Sequence, residues 1–192
     1  MAIKKILTYG EKTLREKSKD VHKVSRKIQD LVKDLLDTLY AQNGVGLAAP
    51  QIGENYRVFV IDTSSGEEDL NPIIFINPKI IKKSGAVVSH EGCLSFPEAY
   101  TDVRRYANVM VKAMDETGRS FVLEAKEGSL LARAIQHEFD HLEGVLFIDH
   151  ARNRFEVEAE LAKRNLPPID IDKMLEEPEL EAELKQTASV EN

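Results

Sequence analysis

The sequence predicts an α+β domain, antiparallel strands packed around one central helix with a C-terminal helix and an acidic tail after it. Three observations predict it. Apolar residues recur at helical spacing before residue 43, runs rich in Val and Ile fill the middle at 57–62, 73–81, 103–114 and 120–125, and two further helical stretches follow. Strands clustered in the middle, with helices before and after, argue against alternating βαβ units. At 192 residues the chain suits one core.

In chain order, Ile28, Leu31, Val32, Leu35, Leu36, Leu39 and Tyr40 mark an amphipathic helix over residues 25–42, and Asn43-Gly44 ends it. The strand runs are punctuated by Gly-Glu, Asn-Pro and Glu-Thr-Gly turns, which suits antiparallel pairing. The central helix is expected over residues 129–142, with Leu130, Leu131, Ala134 and Ile135 on its buried side and Gly144 just past its end. A third helix is expected over 151–164, stopped by Pro167-Pro168. This divides the chain into a single catalytic domain, residues 1–165, and an acidic tail, 166–192, expected to fray around a weak helical turn at 178–185.

Charge supports the same division. Residues 166–192 hold eight acidic and two basic residues, whereas residues 1–165 hold 25 acidic and 24 basic, so the body is nearly neutral and gives no reason to expect a DNA partner. Apolar runs such as Val58-Phe59-Val60-Ile61 are four residues long, far below the ~18 of a membrane span. Lys4 and Lys5 precede only Ile6 and Leu7 before polar residues intervene, so the apolar stretch of a secretory signal is missing and a cytoplasmic protein is expected. The single cysteine, Cys93, has no internal disulfide partner and is a buried apolar residue, a metal ligand or a nucleophile.

The chemistry concentrates in His137-Glu138-Phe139-Asp140-His141, an H-E-x-x-H motif on the central helix. At 100° per residue the two histidines stand about 40° apart on one face, half of a metal site. Composition alone would produce the motif in a chain this long roughly one time in a hundred. Glu138 has the reach for a general base beside the metal, and the shorter Asp140 is better suited to pair with an arginine such as Arg104 or Arg105, or with a backbone donor. The third ligand is open. A histidine at 147 is excluded, because Phe147 stands there, but a downstream glutamate (Glu156, Glu158 or Glu160, as in thermolysin-like endopeptidases) fits by spacing, and so does Cys93 beside Gly92.

Three segments together narrow the choice. Gly44-Val45-Gly46-Leu47-Ala48-Ala49-Pro50-Gln51, Glu91-Gly92-Cys93-Leu94-Ser95 and Gln136-His137-Glu138-Phe139-Asp140-His141 resemble the signature motifs of peptide deformylases, in the same order and with similar separations. The likeness spans about residues 3–162 and says nothing of the tail. It implies a cytoplasmic hydrolase that removes the formyl group from the initiator methionine of nascent polypeptides. It also implies Fe2+ as the native metal, with Zn2+, Ni2+ or Co2+ able to replace it.

The resemblance makes Cys93, His137 and His141 the metal ligands and Glu138 the acid and base. It makes the Gln51 amide and the Leu94 backbone N–H the donors to the oxyanion. Gly46, with Val45 beside it, is expected to pair with an extended peptide as an added strand, while Leu130 and Ala134, near His141 on the helix, are expected to line a pocket for the methionine side chain. Transient ribosome contact is expected through the third helix or through residues 1–33, which carry ten Lys or Arg against four Asp or Glu.

Overall fold

The structure is a computed structural model and describes residues 3–64 and 70–190. Helix α1 (Arg26–Ala41) forms where the apolar spacing predicts it and buries Ile28, Leu31, Val32, Leu35 and Leu39. Just past its end stands Asn43, whose φ of 51° is left-handed, a conformation that asparagine tolerates. Five strands then build one antiparallel sheet in sequential order: β1 (Gly46–Ala48), β2 (Val58–Ile61), β3 (Ile73–Cys93), β4 (Phe96–Met114) and β5 (Ser120–Ala125).

Two of these strands outrun their sequence signal. β3 continues past residue 81 to Cys93, and β4 begins at Phe96 rather than near 103, so the segment containing the cysteine closes a long hairpin in which Gly92 pairs with Tyr100 and Cys93 with Phe96. Polar and charged residues such as Lys82, Lys83, Ser84, His90 and Asp102 interrupt apolar alternation there, and the backbone ladder carries the pairing instead. β1 pairs only with β2 and forms the sheet edge.

Helix α2 (Leu130–Glu143) is capped at both ends. The Ser129 hydroxyl accepts from the Ala132 N–H, and Gly144 turns the chain with a φ of 72°. That glycine has no substitute, since a Cβ there would lie 2.6 Å from the Arg15 carbonyl oxygen. Ala132, Ala134, Ile135 and Leu142 of α2 pack on Phe59, Ile61, Phe75 and Val111 of the sheet. Leu130 departs from expectation: it is 43% exposed, because the first residue of the helix overhangs a cavity rather than the sheet. α1 packs on the other apolar residues of β1 and β2, Leu47, Val58 and Val60.

A third cluster holds the chain after α2. Phe147–His150 forms a 3-10 turn, which delays α3 (Arg154–Lys163) beyond the residue at which the sequence suggests it starts; Asn153 caps α3 by accepting from the Phe155 N–H. Phe147, Ile148, Val157 and Leu161 pack there with Leu14, Phe96, Val103 and Ile169. α4 (Pro178–Val190) is longer than the weak turn expected and lies against β3 and β4. Its mixed local pattern concealed Leu180, which is fully buried. Among the described residues no helix is long and apolar enough to cross a membrane.

Candidate active site

α2 carries His137, Glu138 and His141 against the hairpin end that carries Cys93. The register shift between Gly92 and Cys93 turns the cysteine toward the helix, and Gly92 makes this possible by lying under the Tyr100 ring, where a Cβ would sit 2.4 Å from a ring carbon. One donor atom from each of Cys93, His137 and His141 falls within 4.8 Å of the others. Cys93 Sγ lies 3.3 Å from His141 Nε2. A tetrahedral centre with bonds of about 2.3 Å to sulfur and about 2.05 Å to nitrogen would space those atoms about 3.5 Å apart, so the donor set fits a single divalent cation.

The ring of His137 is oriented from behind. Its Nδ1 lies 3.0 Å from Glu91 Oε2, leaving Nε2 for the site. Glu91 in turn accepts from Arg105 Nε at 3.0 Å and Nη2 at 2.9 Å, and Arg105 Nη1 donates to Asp140, which also faces His150 Nε2 at 2.9 Å. Of the two arginines proposed as partners for Asp140 it is therefore Arg105; Arg104 points elsewhere and pairs with Glu181. Nothing in the sequence pointed to His150, whose Nδ1 lies 3.0 Å from Glu177 of the tail.

Burial disfavours the charge on Glu91 and Asp140, yet Arg105 beside Glu91, and His150 and Arg105 beside Asp140, hold both carboxyls well below the usual carboxylate range. Glu138 lacks such compensation. Burial pushes its pKa up to about 7, His137 partly offsets this, and Oε2 is buried with no hydrogen-bond partner among the described residues. Burial opposes a charge on His137 too, but Cys93 and Glu91 raise its pKa well above the ordinary value. The same electron-rich surroundings favour a metal cation in place of that proton.

For His150, burial lowers the pKa, but Asp140 and Glu177 outweigh it and push the pKa up to about 9. The folded chain thus holds this proton more tightly than the unfolded one, and the stabilisation is complete below about pH 6.5 and lost as pH rises through about 9. In thermal melts His150→Gln is expected to lower stability at about pH 6 and to approach the unmodified protein near about pH 9.5.

Gln51 sits in a 3-10 turn (Ala49–Ile52) after β1. Its Oε1 accepts from the Ala48 N–H at 2.8 Å, which fixes the amide so that Nε2 faces Ser95 Oγ at 3.2 Å and Cys93 Sγ at 3.4 Å. Gly46 backs onto Glu138, whose Oε1 would lie 2.5 Å from a Cβ at that position. A cavity of about 520 Å³ opens over these groups, and Val45, Gly46, Leu94, Leu130, Ala134 and Arg133 contribute to its wall. Nine of the ten residues singled out from the sequence thus line the cavity, and the tenth, His141, is buried behind its wall.

Other candidates fall outside the donor set. His90 is exposed and bonded to Asp102, and among the possible downstream carboxylates Glu156 accepts from Asn153 while Glu160 pairs with Lys163 and Arg164 on α3.

A family model, Polypeptide deformylase, matches residues 3–156. The chain belongs to the polypeptide deformylase family. The deformylase is 47% identical to peptide deformylase 1 of Clostridium perfringens over 150 residues, covering 78% of this chain and 99% of the relative. It is 45% identical to the peptide deformylase of Clostridium botulinum over 154 residues, 80% of this chain and all of the relative. Its fold matches the crystal structure of a peptide deformylase from Synechococcus elongatus in complex with actinonin, with a TM-score of 0.82 and 39% identity, covering 88% of this chain and 90% of that one. The deformylase is thus a metal-dependent hydrolase that removes the N-formyl group from nascent polypeptides, and the thermolysin-like reading is set aside.

Proposed function

We propose that this deformylase runs on one divalent metal, Fe2+ in the cell and replaceable by Zn2+, Ni2+ or Co2+, held by Cys93, His137 and His141, with Glu138 as the proton carrier. The convergence of the three donor atoms within 4.8 Å is the observation that carries the proposal. A cation bound there would act as a Lewis acid, lowering the pKa of water towards ~7 and polarising the formyl carbonyl.

The chain's own groups account for the remaining work. Glu138, buried and with one oxygen unpartnered, takes the proton from the attacking water and delivers it to the departing amine nitrogen. The C–N bond breaks, formate leaves, and the methionine amine is freed. Negative charge developing on the formyl oxygen is met by the Gln51 amide, pre-oriented by Ala48, and by the Leu94 N–H. Peptide substrate lies along the open edge of β1 at Gly46 and Val45 as an added strand, a mode that reads main chain and tolerates varied sequence after methionine. The methionine side chain takes the part of the cavity beside Leu130 and Ala134.

These roles belong to a single catalytic domain, residues 1–165, working in the cytoplasm on formyl-methionyl chains in transient contact with the ribosome. Cys93→Ser is expected to lose the metal while Glu156→Ala and Glu160→Ala keep it, as read by metal content after desalting. Metal retained by Cys93→Ser and lost with either glutamate would contradict the ligand assignment. A thiolate on accessible iron oxidises, so activity of the iron-loaded enzyme is expected to decay in air faster than that of the nickel-loaded enzyme. Equal decay would count against iron chemistry at Cys93.

A further inference from the structure

The cysteine-histidine site and the C-terminal tail are joined by an unbroken row in which basic and acidic side chains alternate. From His137 it runs to Glu91 at 3.0 Å and on to Arg105 at 2.9 Å. Arg105 meets Asp140, Asp140 meets His150 at 2.9 Å, and His150 meets Glu177 at 3.0 Å. Glu91, Arg105 and His150 are buried, Arg105 almost completely, so each link acts with little screening by water. We infer that Glu177 of the tail is a positioning residue for the metal site, acting on the His137 ring through His150, Asp140, Arg105 and Glu91.

The physical argument concerns orientation. The His150 imidazole is held by a hydrogen bond between Nδ1 and Glu177 and by a charge contact between Nε2 and Asp140 that lacks hydrogen-bond geometry, so with Glu177 gone the ring keeps only the less directional of its two contacts. Asp140 would then have a movable partner, and the guanidinium it shares with Glu91 would settle less sharply, as would the Glu91 oxygen that orients His137. The tail is built to deliver Glu177 to this point. The Leu175 N–H donates to the Asp149 carbonyl at 2.8 Å, Ile169 and Leu180 are buried, and Glu181 pairs with Arg104. Glu177 lies beyond residues 3–156, which the family model matches.

The inference rests on His137 being a metal ligand, and the experiment separates the two claims. Full-length protein loaded with Zn2+ is titrated with a chromophoric chelator at a temperature where circular dichroism shows every variant folded. Glu177→Ala is expected to raise the apparent dissociation constant about 3- to 10-fold, and His150→Gln about 10-fold, at or below the range for groups bonded directly to a ligand. In the His150→Gln background Glu177→Ala is expected to add nothing, because the row is already cut. Glu181→Ala, which frees the same tail from Arg104 without touching the row, is expected to leave metal affinity unchanged. Equal affinity for Glu177→Ala and unmodified protein, or an equal effect of Glu181→Ala, would overturn the positioning role. Retention of Zn2+ by Cys93→Ser in the same assay would instead overturn the ligand reading beneath it.

Discussion

Glu138→Gln is expected to leave the fold and the metal in place and to remove nearly all turnover. The amide is close to the carboxyl in size and occupies the same gap beside Gly46, but it neither accepts the proton of the attacking water nor passes one to the amine. A positioned acid–base group is worth about 10²–10⁴-fold, so kcat/KM for a formyl-methionyl peptide should fall by that much with metal content unchanged. A second readout follows from burial. The carboxyl pKa stands at about 7, above the ordinary 4.5, so the folded chain binds this proton more tightly than the unfolded one. In the metal-free protein the group therefore costs stability increasingly as pH rises from about 4.5 to about 7. Metal-free Glu138→Gln is expected to melt at or above the unmodified protein at about pH 8, with the difference vanishing near about pH 4. Near-normal turnover in this variant would remove Glu138 from the mechanism.

Arg105→Ala is expected to be the most damaging single substitution for the fold among those named here. The guanidinium is 2% exposed and bonds two carboxylates, Glu91 and Asp140, that have few other ways to stay charged in the interior. Removing one partner of a buried ion pair costs about 3–5 kcal/mol because the other charge stays behind unpaired, and here two stay behind. For a chain of this size that lowers the melting temperature by about 10 °C. The sign with pH is the reverse of that for Glu138. Both carboxyls sit below their ordinary range when Arg105 is present, so its contribution is full above that range and is lost on acidification. The melting difference should be largest near neutral pH and shrink below about pH 4, and a pH-independent difference would mean that packing, not charge, is what Arg105 supplies.

How much of this was legible in the sequence depends on how far apart the cooperating residues lie. α1 and α2 announce themselves through spacing and caps, because Ser129 and Gly144 act on their own helix. The distal half of the β3–β4 hairpin does not, since Lys82, Lys83, Ser84 and His90 give no apolar alternation and the strand exists through its partner. Within the site, His137, Glu138 and His141 are one helical turn and can be read directly. Glu91 is named by its motif, but its task depends on meeting a ring 46 positions away. For Asp140 the sequence offered an arginine such as Arg104 or Arg105, or a backbone donor, and went no further. Neighbours on a strand face opposite ways, and only the register of β4 turns Arg105 inward and leaves Arg104 to Glu181. His150 and Glu177 carried no local signal, because their link to the site passes through three other side chains.

The most direct test of the account is formate release from a formyl-methionyl tripeptide by anaerobically purified protein, with metal content determined on the same sample. The expected result is turnover with about one metal per chain, iron in the most active preparation, and loss of both metal and turnover in Cys93→Ser. Bound metal without formate release, or full turnover in metal-free protein, would contradict it.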